Sequence, residues 1–379
     1  MSLPVTPTGH PASEAQGGLA VEIRRLRALA LGELQRMYVP SERSFVFRLR
    51  RTSSGTMAEG LSRRYTAISV IGLAAGQTED VKRVLAGDLD SLRRGLLEAV
   101  GSLDNLGDVA LTLWAGTRAK RRLRQRAVER LRELRPLEGA RFTVELAWAL
   151  AALCQDDSSS AGELRALLAA RLLAAFDPST GMFPHVIGGR AGLRTHVACF
   201  ADLVYPVQAL ALYAGRTGDR SALAAAGRCA EQIRRTQGEA GQWWWHYDVR
   251  TGRVVEGYPV YSVHQHAMAP LALFALREAG GADHGGGVEQ GIEWLLRSPE
   301  LGGGSLLDTR AGLIWRKVAR REPGKLARSL QALAARVHTG LRAPGLDQLL
   351  PPGRIDYECR PYEMGWLLYA HPEPRGGRV

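Results

Sequence analysis

From about residue 60 onward the chain alternates between two kinds of segment. One kind is short and apolar nearly all round, at about 64–76, 105–116, 141–154, 199–215, 262–279 and 360–370. The other is charged and amphipathic at helical spacing, at about 78–100, 118–135, 160–176, 219–237, 287–297 and 324–338. A helix apolar on every side is buried, whereas one with a polar face lies outside. The strict alternation predicts six inner and six outer helices joined as αα-hairpins. Each hairpin needs a neighbour on both sides to bury its flanks, so the array closes on itself. The predicted fold is an all-α (α/α)6 toroid, one domain over residues 60–371.

Ahead of it, residues 1–20 carry Pro, Gly, Thr and Ser without apolar periodicity, and a disordered N-terminus is expected. Residues 21–59 read as a helix, Glu22–Met37, followed by a short β-hairpin. The stretch from Ser44 to Arg50 alternates apolar and polar residues, and Ser53, Ser54 and Gly55 supply the turn.

Composition fits a soluble globular protein: 379 residues, 45% hydrophobic and 23% charged. Apolar runs such as Val144–Leu153 and Ala267–Leu276 are about ten residues long, too short to span a bilayer. Residues 1–20 lack the basic start and apolar run of a signal peptide, so a cytoplasmic protein is expected. Cys154, Cys199, Cys229 and Cys359 form no CxxC pair and read as buried free thiols. The net charge of +12 is mostly Arg. Its densest run, Arg118 to Arg135, has Leu123, Val128, Leu131 and Leu134 at helical spacing, which makes it the solvated face of an outer helix. No aromatics interleave with those arginines, so a nucleic-acid partner is not expected. An anionic small molecule or oligosaccharide is compatible with the charge.

The repeat also shows in the residues. Outer segments end in a glycine followed by an aromatic: Gly181 then Phe183, and Gln237 and Gly241 then Trp243. The beat recurs after Trp294 with Gly302-Gly303-Gly304 and Trp315, and these glycines stand about 60 residues apart. This arrangement resembles the six-hairpin toroid enzymes, a superfamily of glycosidases, sugar epimerases and polysaccharide lyases. It is also similar to the terpenoid-cyclase and prenyltransferase toroids, whose repeats end in a Gln…Gly-x-Trp motif. The resemblance covers roughly residues 60–371. It implies parallel inner helices whose N-termini open on one face, where their partial positive charges converge.

Functional residues are therefore expected at inner-helix starts and in the loops before them. Those positions hold Tyr65, Thr66, Asp108, Thr143, Glu145, His196, Asp202 and Tyr205, and, near the C-terminus, Asp356, Tyr357, Glu358, Arg360, Tyr362 and Glu363. The densest stretch runs from Gln242 to His266 and contains Trp243, Trp244, Trp245, His246, Asp248, Glu256, Tyr258, Tyr261, His264 and His266. Asp248 and Glu256 flank a small hairpin with a Thr251-Gly252 turn. Asp248 or Glu256 is a candidate carboxylate to pair with Glu358 or Asp202 in sugar chemistry. His264 is a candidate general acid or base. His264 and His266 point about 200° apart on a helix and do not make a metal pair. In toroid uronate epimerases and lyases tyrosines and a histidine move the protons beside a neutralised carboxylate. That resemblance implies proton-transfer roles for phenols at the same face, Tyr258, Tyr261, Tyr357 and Tyr362, with packing in the funnel wall as the alternative for each, and a carboxylate partner in Arg360 or Arg194.

The chain has no Asp-x-Asp-Asp run of the class II cyclases, no Asp-x-Cys of the zinc prenyltransferases, and no P-loop or dinucleotide fingerprint. The leading expectation is a carbohydrate-active hydrolase, epimerase or lyase using metal-independent acid–base chemistry on a glycan or uronate-type sugar, without a cofactor. Asp248, His264, Tyr261 and Glu358 are its catalytic candidates. Trp243, Trp244, Trp245, His246, Asp202, Tyr205, Tyr258, Tyr357 and Arg360 are its binding candidates. The alternatives are an isoprenoid cyclase-like or prenyltransferase-like toroid with an aromatic pocket, and a non-catalytic binding toroid.

Overall fold

The computed structural model describes residues 11–85, 87–189, 192–322, 326–337 and 345–373. The chain opens with α1 (Pro11–Met37), then α2 (Arg63–Leu73), α3 (Thr78–Leu85), α4 (Leu89–Glu98) and α5 (Leu106–Ala115). It continues through α6 (Arg121–Glu133), α7 (Thr143–Cys154), α8 (Ser159–Ala175), α9 (Ala201–Thr217) and α10 (Arg220–Arg235). The last third holds α11 (Ala269–Glu278), α12 (Gly285–Arg297), α13 (Leu326–Val337), the short α14 (Leu346–Leu349) and α15 (Pro361–Ala370).

Helices α2, α5, α7, α9, α11 and α15 pack one against the next, and α15 returns to α2, so they form a closed inner ring. Their bodies are buried almost throughout, as the apolar segments predict. The ring closes by backbone contact. A Cβ added at Gly72 of α2 would stand 2.1 Å from the carbonyl oxygen of Gly365 in α15, and one at Gly365 would stand 2.7 Å from that of Ile68. Only two glycines allow so close a crossing.

The outer layer departs from expectation in three places. The amphipathic segment 78–100 is two helices, broken where the Asp88 side chain accepts the N–H groups of Asp90 and Ser91 and starts α4. The segment 324–338 is described over 326–337, which is helical as α13, yet it packs on the strand Arg253–Glu256 instead of joining the outer ring. It buries Ala332 and Ala335 against Val197 and Val255, and the Ala335 carbonyl accepts a 2.6 Å hydrogen bond from Arg250. The outer place beside α15 is taken by α1, which buries Leu26, Ala30, Leu31 and Leu34. Arg27 of α1 donates to the His371 carbonyl, and buried Glu33 accepts the Ile314 N–H at 2.6 Å. Residues 11–20, expected to be disordered, begin this helix, while residues 1–10 lie outside the described residues.

The N-terminal hairpin forms as read, with strands Ser44–Thr52 and Gly55–Leu61 closing at the Thr52 and Gly55 pair. It also pairs with Glu358–Cys359 ahead of α15. Two further pairings shape the mouth of the ring. Arg141–Phe142 before α7 pairs with Val186–Ile187, and Val197–Cys199 before α9 pairs with His246–Asp248. Between Val263 and α11 the helix takes one wide turn at His264–Met268, with the Ala269 N–H bonded back to the His264 carbonyl.

Candidate active site

The starts of the inner helices meet on one face, and side chains link them edge to edge. Arg64 of α2 donates to Asp108 and Asn105 at the start of α5, and Asn105 donates to Glu145 of α7 at 2.6 Å. On the other side Arg360 donates to the Tyr65 hydroxyl at 2.9 Å. This is the polar mouth the helix order predicts.

A cavity of about 790 Å³ opens there, with Asn105, Arg141, Phe142, Glu145, His185, Arg194, Cys199, Trp245, His246 and Arg328 among its walls. Local pairing explains how His185 arrives. The strand Val186–Ile187 lies on Arg141–Phe142, and Thr143 donates its N–H to the His185 carbonyl, so the residue is held over the starts of both α7 and α9. Asp202, in the first turn of α9, is fully buried and receives the Cys199 N–H at 2.8 Å. The same carboxylate oxygen lies 2.8 Å from Nδ1 of His185. The hydrogen bond to Asp202 raises the His185 pKa above its ordinary 6.5 and outweighs the effect of burial. With Nδ1–H given to Asp202, Nε2 is the basic nitrogen left to the cavity.

His246, on the same wall, is its opposite. Burial and the nearby charges of Arg194 and Arg328 push it well below 6.5, so it is neutral. The Cys199 thiol is pushed up by burial and by the Asp202 charge, and stays protonated. His185, Cys199 and Asp202 bring donor atoms within 4.8 Å of one another, the most metal-like set among the described residues. Here those groups are joined by hydrogen bonds to each other.

A second cavity of about 480 Å³ shares Trp245 and Arg328 with the first, and adds Tyr258, Tyr261, Arg316, Lys317, Arg320, Arg354 and Asp356. The Arg328 guanidinium sits over the Trp245 ring at 5.1 Å, and the two form the partition between the cavities. Because Arg328 belongs to α13, the helix displaced from the outer ring covers the mouth instead.

The sequence candidates divide accordingly. Trp245, His246, Tyr258 and Tyr261 line the cavities, and Asp202 stands directly behind His185. Asp248 lines neither: it is buried, caps the hairpin turn by accepting the Arg250 N–H at 2.9 Å, and forms a two-point ion pair with the Arg250 side chain. His264 is packed against Phe200 and Tyr261 and is pushed down to about 3 by burial. His266 is equally buried, so neither reaches the mouth. Glu358 is held by Arg48, Arg316 and Arg360, a carboxylate already fully engaged. Arg360 lies over the Phe47 ring at 4.6 Å and is tied to Glu358, away from both cavities. Trp243 is a core residue with no exposure, stacked on Phe200. Trp244 points the other way, edge-on to Tyr258 in a separate cavity of about 490 Å³. Tyr205 is sealed between Trp148 and Trp366. Tyr357 is exposed, with Arg51 over its ring at 4.6 Å.

The residues missed as site members are His185, Arg328, Arg141, Lys317 and the Asn105 link to Glu145. A signal for two of them was present. Phe183 and His185, Trp243 and Trp245, and Trp315 and Lys317 are each a buried aromatic followed two positions later by a cavity residue.

No family model matches the chain, and no curated protein matches it in sequence. Solved structures do match in fold. A cellobiose 2-epimerase from Bacillus thermoamylovorans aligns at 12% identity over 93% of this chain and 98% of its own, with a TM-score of 0.58. An unsaturated glucuronyl hydrolase from a Bacillus species aligns at 12% identity over 92% and 95%, with a TM-score of 0.57. An α-1,6-mannanase from a Salegentibacter species aligns at 12% identity over 91% and 96%, with a TM-score of 0.52. At such identity the likeness is one of fold, the six-hairpin (α/α)6 toroid.

Proposed function

We propose that the chain is a carbohydrate-active enzyme in which His185, backed by Asp202, moves a proton in the cavity at the mouth of the toroid. The observation that carries this reading is the 2.8 Å contact between Asp202 and His185 Nδ1, with the imidazole on the wall of a cavity that also holds Glu145 and Trp245. Asp202 fixes the tautomer and stabilises the imidazolium once Nε2 has taken a proton. Glu145, positioned by the Asn105 amide, is the complementary acid. Trp245 offers an aromatic face on which a sugar ring stacks.

The reaction favoured is proton transfer at a sugar carbon, as in an epimerase or lyase. Glycoside hydrolysis takes two carboxylates flanking the scissile bond, and Glu145 is the single carboxylate on this wall among the described residues. Sugar handling by the epimerase, hydrolase and mannanase of the same fold supports the substrate class. A hydrocarbon pocket for an isoprenoid has less support, because three guanidiniums face the same space.

The test starts from a thermal-shift panel of sugars, sugar acids, oligosaccharides and prenyl diphosphates, since a ligand of the folded state raises Tm by mass action. Activity on the stabilising sugar is then compared between the wild type and His185→Ala. A loss of about 10²- to 10⁴-fold is expected. Stabilisation by prenyl diphosphates alone overturns the reading.

A further inference from the structure

Arg194 and Arg328 differ from Arg316, Lys317 and Arg320 of the second cavity, which are paired with carboxylates, and from Arg141 of the first, whose Nη2 is spent on the Leu134 and Arg135 carbonyls. In the second cavity Arg316 holds Glu363 at 3.0 Å, Lys317 holds Asp356 at 2.8 Å, and Arg320 holds Glu256 at 2.8 Å. In the first cavity Arg194 and Arg328 have no carboxylate partner among the described residues, and each keeps a buried Nε without a hydrogen-bond partner there. The two guanidiniums are close enough that the Arg328 charge adds to burial in depressing the Arg194 pKa. Both charges act on His246, buried to 3% exposure, whose Nε2 is 3.3 Å from an Arg194 nitrogen. A neutral imidazole accepts that bond and adds no further charge. Burying two unpaired like charges is costly unless an anion joins them. Guanidinium is the group best shaped to take a planar or tetrahedral oxyanion in a two-point grip.

We propose that Arg194 and Arg328 form an oxyanion subsite in the first cavity, so that the sugar carries a carboxylate or a sulfate ester. The site is assembled from two directions: Arg194 from the loop before α9, and Arg328 from α13 across the mouth. Its depth beside Trp245 sets the anion against one end of a stacked ring, with His185 on the same wall. The inference rests on the sugar reading above, and it fixes which sugars are taken.

Calorimetric titration of the full chain tests it, using methyl glucuronide, glucose 6-sulfate, methyl glucoside and inorganic sulfate. The wild type, Arg194→Gln and Arg328→Gln are compared after circular dichroism shows each folded. Tighter binding of an acidic sugar than of the neutral glycoside, by about tenfold or more and lost in both variants, is the expected result. A stronger response to the glucuronide assigns the carboxylate, and one to the 6-sulfate assigns the ester. Equal binding of neutral and acidic sugars, unchanged in the variants, overturns the anion subsite and leaves the sugar reading standing. Sulfate bound by the wild type alone, with no sugar bound, keeps the subsite and removes the sugar reading. If no probe binds the wild type, both fall.

Discussion

At the scale of the residue, the difference between His185 and His264 is one of neighbours. Both are imidazoles near inner-helix starts, but His185 has a buried carboxylate on one nitrogen and a cavity on the other. His264 is surrounded by Phe200, Tyr261 and the Trp243 carbonyl. Activity that needs neutral His185 should rise with pH through its raised pKa. Replacing Asp202 with Asn removes the charge that stabilises the imidazolium, so the acid limb of the kcat/KM profile should move to lower pH while the rate falls. An unmoved limb would mean that another group sets it. This distinction was hidden in the sequence, where His264 stood among aromatics and His185 stood alone. Charge and aromatic density mark a folded centre as readily as a site, and the Trp243–His266 stretch is mostly the former. Of that stretch, Trp245, His246, Tyr258, Pro259 and Tyr261 line the two cavities.

At the scale of the element, the six inner helices were legible because each is apolar on all sides, a pattern that needs no partner to be recognised. The identity of the sixth outer helix was not. Amphipathic segments at 22–37 and 324–338 carry the same sequence pattern, and only tertiary packing separates them. Met37, Leu34 and Ala30 of α1 go into the core with no exposure, while Arg27 and Glu33 of the same helix bond to main-chain groups. The α13 helix is left to cover strand Arg253–Glu256 and deliver Arg328 to the mouth. The ring seam was also invisible, because a glycine inside a helix reads only as a weak point. Gly72→Ala or Gly365→Ala would drive a methyl group into an opposing carbonyl. Each should destabilise the fold by about 1–3 kcal/mol or more, measured by urea unfolding. A neutral result at both positions would mean that the α2 and α15 backbones stand further apart.

At the scale of the whole molecule, the buried histidines tie stability to pH. Burial drives His264 and His266 down to about 3 and His371 to about 4. In the unfolded chain each titrates near 6.5, so below that pH the unfolded state binds more protons. Stability should therefore fall as pH drops from about 6.5 toward 4, by up to about 1.4 kcal/mol per pH unit for each histidine. Glu33 and Glu363, raised above 4.5 by burial, oppose this, since they take up protons in the folded state. His371→Gln, which keeps a donor for the His266 carbonyl, should flatten the acid slope of the urea midpoint. An unchanged slope would remove His371 from the account. The closed ring also bears on where the proposed chemistry sits: the inner bodies are mostly apolar and buried, and the cavity opens among polar groups at the helix starts.

The most direct test of that site is solvent-isotope exchange. The stabilising sugar is incubated in D2O with wild-type protein and with His185→Ala, and deuterium at each ring carbon is read by NMR. The account predicts deuterium at one carbon with the wild type, and incorporation slowed by at least about 10²-fold in the variant. Equal incorporation by folded His185→Ala, or its loss in folded His264→Gln with His185→Ala unaffected, would place the proton transfer elsewhere.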